Sequence, residues 1–143
     1  MLRVSRRTDY ALRVMIAIAR APHGAYVPAP RLGEEWGIPR PFLVKVVGDL
    51  RRSGLILTTA GRNGGIRMAR PAESITLRHI VEAIEGPIVL SNAFVGTAER
   101  ENHLHQMWER IQHALRAEMD AITLAALAGE QWEASRAQGP DVT

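Results

Sequence analysis

The chain has 143 residues, of which 46% are hydrophobic and 23% charged, a composition that supports one folded domain and excludes wholesale disorder. The absence of cysteine excludes disulfides, thiolate metal sites and a cysteine nucleophile. The net charge of +3 is divided unevenly: residues 1–70 carry 13 Lys and Arg against 4 Asp and Glu, and residues 71–143 carry 5 against 11. A basic first half favours contact with a polyanion, although a solvated charged surface would show the same asymmetry.

Targeting and membrane signals are missing from the sequence. It contains no run of 18 apolar residues, so we expect no membrane span. The basic N-terminus is not followed by an apolar signal core, because Asp9 and Arg13 interrupt it. We therefore expect a soluble, cytoplasmic protein.

Three helices are predicted over about residues 6–21, 29–36 and 41–52. Ser5 is expected to cap the first, which is apolar on most sides and should bury a second face against a partner subunit. The second has Pro30 in its first turn and ends at Gly37. The third is amphipathic and basic, and two helices joined by a tight turn in this way are typical of a helix-turn-helix.

A β-hairpin is predicted directly after the third helix, in the position of a wing. Its strands cover residues 55–59 and 66–69, and residues 60–65 connect them. The connection contains Asn63-Gly64, a pair typical of a tight turn in which the asparagine takes a positive φ. Thr76 is then expected to cap a helix over about residues 77–84.

The C-terminal part is predicted to contain a long helix. Leu104, Trp108, Ile111 and Leu115 are spaced by four, three and four residues, as in a helix–helix seam. Thr123 is expected to cap a short helix. The predicted fold is mostly α with a small β-hairpin: a winged helix-turn-helix domain (1–86), a sensor-type loop (87–101), a dimerisation helix and short helix (102–128), and a tail (129–143).

The exposed side of the third helix has the composition of a DNA-reading surface. Cationic side chains at its edges and small residues near its centre suit entry into a major groove. Gly48 lowers helix propensity, so we expect DNA or a neighbouring helix to approach it closely. A winged domain that binds protein instead of DNA is the alternative. The candidate DNA-binding residues are Arg40, Pro41, Phe42, Lys45, Arg52, Arg62, Asn63 and Gly64.

Four segments together resemble the IscR/NsrR/CymR family of bacterial winged-helix repressors, over roughly residues 1–128. The resemblance implies a non-enzymatic homodimer, built by the first helix and the long helix, whose two wings straddle a palindromic operator in double-stranded DNA. Residues 62–76 are most similar to the nitric-oxide-sensing branch. The segments are Arg7-Thr8-Asp9-Tyr10-Ala11-Leu12-Arg13, Ile38-Pro39-Arg40-Pro41-Phe42-Leu43-Val44-Lys45, Asn63-Gly64-Gly65-Ile66-Arg67-Met68 and Ser74-Ile75-Thr76.

The sequence departs from this family at the cluster ligands. Cluster-binding members carry three cysteines before the long helix, and their positions fall here near Ser91, Gly96 and Asn102. Asp9 lies where the nitric-oxide branch supplies a carboxylate from the partner chain, and His105 where another branch supplies a histidine. Without thiolates we expect no iron–sulfur cluster and no other cofactor.

The signal that such a regulator would sense is left open by the sequence. A small molecule in the loop over residues 88–95, a protein co-regulator and constitutive DNA binding are three alternatives. A fourth is a divalent metal on His105, Glu109 and His113, which share one face of the long helix. A solvated helix stripe would have the same spacing.

Overall fold

The structure is a computed structural model and describes residues 3–90 and 99–129. It confirms a mostly helical fold with one antiparallel hairpin. Within those residues no helix is long and apolar enough to cross a membrane. The elements are α1 (Arg6–Arg20), α2 (Ala29–Trp36), α3 (Arg40–Arg52), β1 (Ile56–Thr59), β2 (Gly65–Met68), a 3₁₀ turn (Ala72–Ser74), α4 (Leu77–Glu85), α5 (Glu99–Ala121) and α6 (Leu124–Ala128).

Three helices begin at the capping residues that the sequence predicts. The hydroxyls of Ser5, Thr76 and Thr123 each accept a hydrogen bond from a backbone N–H in the first turn of α1, α4 and α6. At α4 the cap is reciprocal, because Nδ1 of His79 accepts from the Thr76 backbone N–H at 3.0 Å. His79, for which the sequence suggested no role, therefore fixes the start of α4.

Helix α1 lies at the centre of the core. It packs against α3, α4 and α6, and its buried residues are at most 3% exposed. This burial removes a large apolar area from water, which is the main source of stability for a domain of this size. The core residues are Ala11, Val14, Met15 and Ile18 of α1, with Leu32, Leu43, Val46, Leu50, Ile56, Ile66, Ile75, Ile80 and Leu124 from the other elements.

The hairpin is attached to the connection between α1 and α2. Val27 and Ile66 exchange two backbone hydrogen bonds of 2.8 and 2.9 Å. This contact leaves no space at Gly65, where an added Cβ would lie 2.3 Å from the Val27 carbonyl oxygen and where φ is +148°. Only glycine is compatible with so close an approach of two backbones.

The predicted tight Asn63-Gly64 turn is wrong. The pairing of Thr59 with Gly65 leaves residues 60–64 as a five-residue loop, and no described residue other than glycine has a positive φ. The left-handed conformation falls on Gly61, with φ of +99°, whose carbonyl accepts a 3.0 Å hydrogen bond from the Gly64 N–H. The bridge between Val27 and Ile66 fixes the register, so the loop length follows from tertiary contacts rather than from the local pair.

Helix α5 packs on α4 through a side that is partly polar. The Gln112 side chain accepts a 2.7 Å hydrogen bond from the Leu90 backbone N–H. Arg116 Nε donates to the Ile88 carbonyl at 3.0 Å. These bonds fix the start of the predicted sensor loop, whereas residues 91–98 lie outside the described part of the chain. Of the predicted effector-loop residues, Ile88, Val89 and Leu90 are described, and the backbones of Ile88 and Leu90 hold α5.

Candidate nucleic-acid interface

Helix α3 separates its side chains cleanly between the core and the solvent. Leu43, Val46 and Leu50 are buried, at spacings of three and four residues. The opposite face follows from the same 3.6-residue period, and its members are exposed except for the half-buried Gly48. This face contains Pro41, Val44, Lys45, Gly48 and Arg52.

Lys45 and Val44 stand next to each other on this face. Lys45 is exposed, and within the part of the chain that the structure describes its ammonium group has no ion-pair partner. Val44 is 66% exposed, and the sequence analysis did not select it. Its position, three residues after Pro41 and four before Gly48, was the available signal. A lysine free to contact phosphate or a base edge is what a recognition helix requires.

Arg52 is exposed as predicted, but it is not free. Its guanidinium forms an ion pair with Asp49, whose carboxylate also lies 4.0 Å from Arg7 of α1. Asp49 is a residue that the sequence analysis missed, although its i, i+3 spacing to Arg52 was visible. The pair leaves Arg52 only the N–H groups that Asp49 does not use, so Asp49 positions the Arg52 guanidinium on this face.

This arrangement also explains Gly48. The nearest atoms to a Cβ added at Gly48 belong to the Arg52 guanidinium, the closest at 3.3 Å. No other helix of the described chain comes closer than 3.8 Å to this Cβ position, so of the two expected reasons for Gly48 the close approach of DNA stays a prediction. Glycine here provides space for Arg52 to fold back over the helix towards Asp49.

Phe42 and Arg40 differ in position from the other candidates on α3. The Phe42 ring packs against Tyr10 of α1, with 5.1 Å between ring centroids, and is half-buried. It therefore joins α3 to α1 and does not lie on the exposed face. Arg40 is exposed at the start of α3, where it lines the groove between α2 and α3.

The wing presents one cation at its tip. Arg62 and Asn63 are both exposed, and Arg62 has no ion-pair partner among the described residues. Gly64 has a structural role, because a Cβ at this position would lie 2.4 Å from the Thr59 carbonyl oxygen. Behind the tip, the guanidinium of Arg67 lies 4.7 Å from the Tyr26 ring centroid and stiffens the base of the hairpin.

The start of α1 is joined to the end of α4 by a carboxylate. Glu85 accepts hydrogen bonds from the hydroxyls of Ser5 and Thr8, the second at 2.7 Å. The hydrogen bond from Ser5, followed by that from Thr8, lowers the pKa of Glu85 below its ordinary value. The bond also satisfies the buried Thr8, so the basic N-terminus of α1 is held in a fixed position beside α3.

The ligand-type side chains that are described make contacts within their own chain. Asp9 forms a 2.9 Å ion pair with Arg13, and His105 Nε2 lies 3.1 Å from the Glu109 carboxylate. Nδ1 of His105 is buried and has no hydrogen-bond partner there. His113 is exposed, and the described residues contain no group of three or more side chains arranged to hold a metal ion. Ser91, Gly96 and the side chain of Asn102 lie outside the described residues.

Comparison with known proteins agrees with this geometry. The model of the Rrf2 family, described as iron-dependent transcriptional regulators, matches residues 4–130. The chain belongs to the Rrf2 family. A Mycobacterium tuberculosis protein that bears the name of an HTH-type transcriptional regulator is 31% identical to it over 133 residues, which cover 90% of this chain and 82% of that protein.

Solved structures share the same fold. The structure of CymR, the global cysteine regulator of B. subtilis, has a TM-score of 0.76 and 26% identity, and covers 90% of this chain and 97% of its own. T. potens IscR has a TM-score of 0.71 and 24% identity, with 98% and 93% covered. This Rrf2 protein is thus a transcription regulator with a winged helix-turn-helix for DNA binding, as the sequence resemblance implied.

Proposed function

We propose that this Rrf2 protein is a homodimeric repressor that binds a palindromic operator, with α3 in the major groove and the wing on the flanking backbone. The observation that carries the proposal is the exposed face of α3, on which Lys45 stands without an ion-pair partner among the described residues. Arg40 and Arg62 extend the same cationic character to the start of α3 and to the wing tip. Unpaired cations at such positions provide the phosphate contacts that give affinity and orientation.

The dimer is supported by an inversion of polarity on α5. Gln112 and Arg116 face their own chain, while an apolar stripe faces the solvent. Five neighbouring apolar side chains exposed in this way are a feature of interaction surfaces rather than of monomers. The stripe contains Leu104 (55% exposed), Met107 (41%), Trp108 (39%), Ile111 (45%) and Leu115 (38%).

Helix α1 offers a second surface to the same partner. Leu12 and Ile16 lie away from the deepest core and are half-buried. They line a groove of about 580 Å³ together with Trp36, Leu77 and Ile122. We assign this groove to the second copy of the chain, because the family resemblance implies that the first helix and the long helix of both subunits build one interface.

We further propose that the regulator works without a cysteine-ligated iron–sulfur cluster, although its family is described as iron-dependent. The chain has no thiolate to offer. The two ligand-type side chains that remain, Asp9 and His105, are each paired within their own chain. Oxygen and nitrogen ligands in this number do not hold a cluster of the usual types.

DNA binding is tested by selecting bound duplexes from a random pool and measuring affinity over a range of salt concentrations. We expect a palindromic consensus and an affinity that falls steeply with salt. Arg62→Ala should weaken binding and reduce the salt slope by about one unit if Arg62 meets a phosphate. Arg110→Ala is the control, since Arg110 is exposed on α5, which packs on α4 rather than beside α3. Failure to bind any duplex would favour a protein-interaction module instead.

The cluster proposal has its own test. The protein is expressed anaerobically, or reconstituted with iron and sulfide, and its iron content, sulfide content and ultraviolet–visible spectrum are recorded. We expect a colourless protein whose operator affinity is indifferent to nitric oxide and oxygen. A brown protein with stoichiometric iron and sulfide, whose affinity changes with nitric oxide, would contradict the proposal and restore Asp9 and His105 as ligands.

A further inference from the structure

The exposed face of α3 carries an apolar side chain that the domain interior does not use. Val44 is 66% exposed, and neither Pro41 before it nor Gly48 after it has a side chain long enough to cover it. A β-branched residue in the middle of a helix lowers helix propensity relative to alanine. Val44 therefore contributes little to either helix formation or core packing, and its side chain is available for contact with a ligand.

Val44 is accessible beside a groove that opens towards the neighbouring helix. Val44 stands at the rim of a groove of about 680 Å³ between α2 and α3. On the α2 side this groove is lined by Ala29, Pro30, Gly33 and Glu34, and Val44 stays 66% exposed beside them. Arg40 lines the same groove and Lys45 is adjacent on α3, so the exposed valine lies between two cations that would contact DNA.

We propose that Val44 reads the C5 methyl group of a thymine in each half of the operator, an inference that rests on the proposed function. A valine side chain has no hydrogen-bond donor or acceptor and cannot recognise the polar groups of a base edge. In the major groove the thymine methyl is the apolar group that a base edge presents. Valine in a helix strongly prefers a single χ1 rotamer, so its two methyl groups are already ordered before DNA binds.

This contact separates specificity from affinity on the same helix. A methyl group removed from water contributes roughly a fourfold change in dissociation constant, and two half-sites about 15-fold. Val44 would therefore set the base preference at one position of each half-site. Lys45 and Arg62, if they meet phosphates, would strengthen binding to every sequence by a similar factor.

The test uses the selected operator duplex and scans each symmetric pair of thymines with deoxyuridine, which lacks only the C5 methyl. We expect one position at which this exchange weakens binding of the wild-type protein by about 15-fold. At that position Val44→Ala should bind the thymine and deoxyuridine duplexes equally. Val44→Thr, which keeps one of the two methyl groups, should retain part of the discrimination.

Val89→Ala is the matched control, because Val89 is an exposed valine outside the helix-turn-helix. This variant should distinguish the thymine duplex from the deoxyuridine duplex as the wild type does. The inference is overturned if no position distinguishes deoxyuridine from thymine, or if Val44→Ala discriminates as well as the control does. If the selection yields no bound duplex at all, the proposed function fails and this inference fails with it. Duplex binding without methyl discrimination would leave the proposed function intact.

Discussion

Helices α1 and α5 both carry a continuous apolar stripe, yet they bury it differently. On α1, Val14 and Met15 are fully buried and Ile18 is 3% exposed. On α5, Trp108 and Leu115 remain 39% and 38% exposed in the single chain. Helical periodicity thus indicates that a face is to be covered, but not whether the same chain covers it.

The same contrast holds for the polar groups. Thr8, buried on α1, is satisfied within the chain by Glu85. Lys45 on α3 and Arg62 on the wing have no such partner among the described residues. The buried polar group of α1 is therefore satisfied within one chain, while α3, the wing and α5 present groups suited to DNA or to a second subunit.

The largest expected effects come from truncating one stripe at a time. Met15→Ala should lower the free energy of unfolding by about 2–5 kcal/mol, because it leaves a cavity in the core of each chain. Trp108→Ala should lower the free energy of unfolding by about 3–5 kcal/mol if the ring is buried in a dimer interface. Denaturation at several protein concentrations, with sedimentation at micromolar concentration, separates the two losses.

The loss of stability in the two variants should depend differently on protein concentration. Trp108→Ala should shift the protein towards monomer, with a loss that grows on dilution. Met15→Ala should destabilise the fold of each subunit. A wild-type protein that sediments as a monomer at micromolar concentration would contradict the proposed dimer through α5. It would also contradict the palindromic operator, which depends on that dimer.

A smaller effect is expected at the wing, where the backbone excludes a side chain at one position and accepts one at another. Gly65→Ala should destabilise the hairpin by about 1–3 kcal/mol, because its φ and the nearby Val27 carbonyl exclude a side chain. Asn63→Ala should leave hairpin stability unchanged, since Asn63 has no positive φ. Unfolding free energies and hydrogen exchange of the hairpin amides measure both. A hairpin weakened as much by Asn63→Ala as by Gly65→Ala would contradict this difference between the two positions.

Lys45→Ala is expected to weaken operator binding by about 1–3 kcal/mol if the lysine reads a base edge. A contact to phosphate alone would produce a nearly equal loss on every sequence. Affinities for the selected operator and for a scrambled duplex distinguish the two cases. An unchanged affinity for both duplexes would show that Lys45 does not contribute to DNA binding.

The smallest effect concerns Glu85. Because its pKa is lowered in the folded state, its contribution to stability is present above the ordinary pKa of 4.5 and is lost as the pH falls through the folded value. Glu85→Gln should therefore be less stable than wild type at neutral pH, by less than about 1 kcal/mol given its exposure, and the gap should narrow below pH 4.5. Glu118→Gln, at an exposed position on α5, is the control. A gap of constant size down to strongly acidic pH would contradict the role of the carboxylate.

Local chemistry was sufficient for much of the fold. Ser5, Thr76 and Thr123 predicted three helix starts correctly, because a capping hydroxyl needs only the backbone of its own first turn. The order of helices and strands also predicted the winged helix-turn-helix, because each helix and strand is indicated by a local sequence pattern. The segments that carry the family resemblance also predicted membership of the family, which the match over residues 4–130 confirms.

Contacts between distant residues decided the rest. The wing loop depends on the bridge from Ile66 to Val27, so the local Asn63-Gly64 pair could not reveal its length. The ion pair of Arg52 with Asp49, and the position of its guanidinium beside Gly48, depend on where the Arg52 side chain folds. The exposure of Val44 beside the groove between α2 and α3 is visible only in the folded chain. The sequence alone determined which faces are apolar or charged, because those patterns are local; only the tertiary structure decided which of those faces one chain covers, because burial depends on residues far away in the sequence.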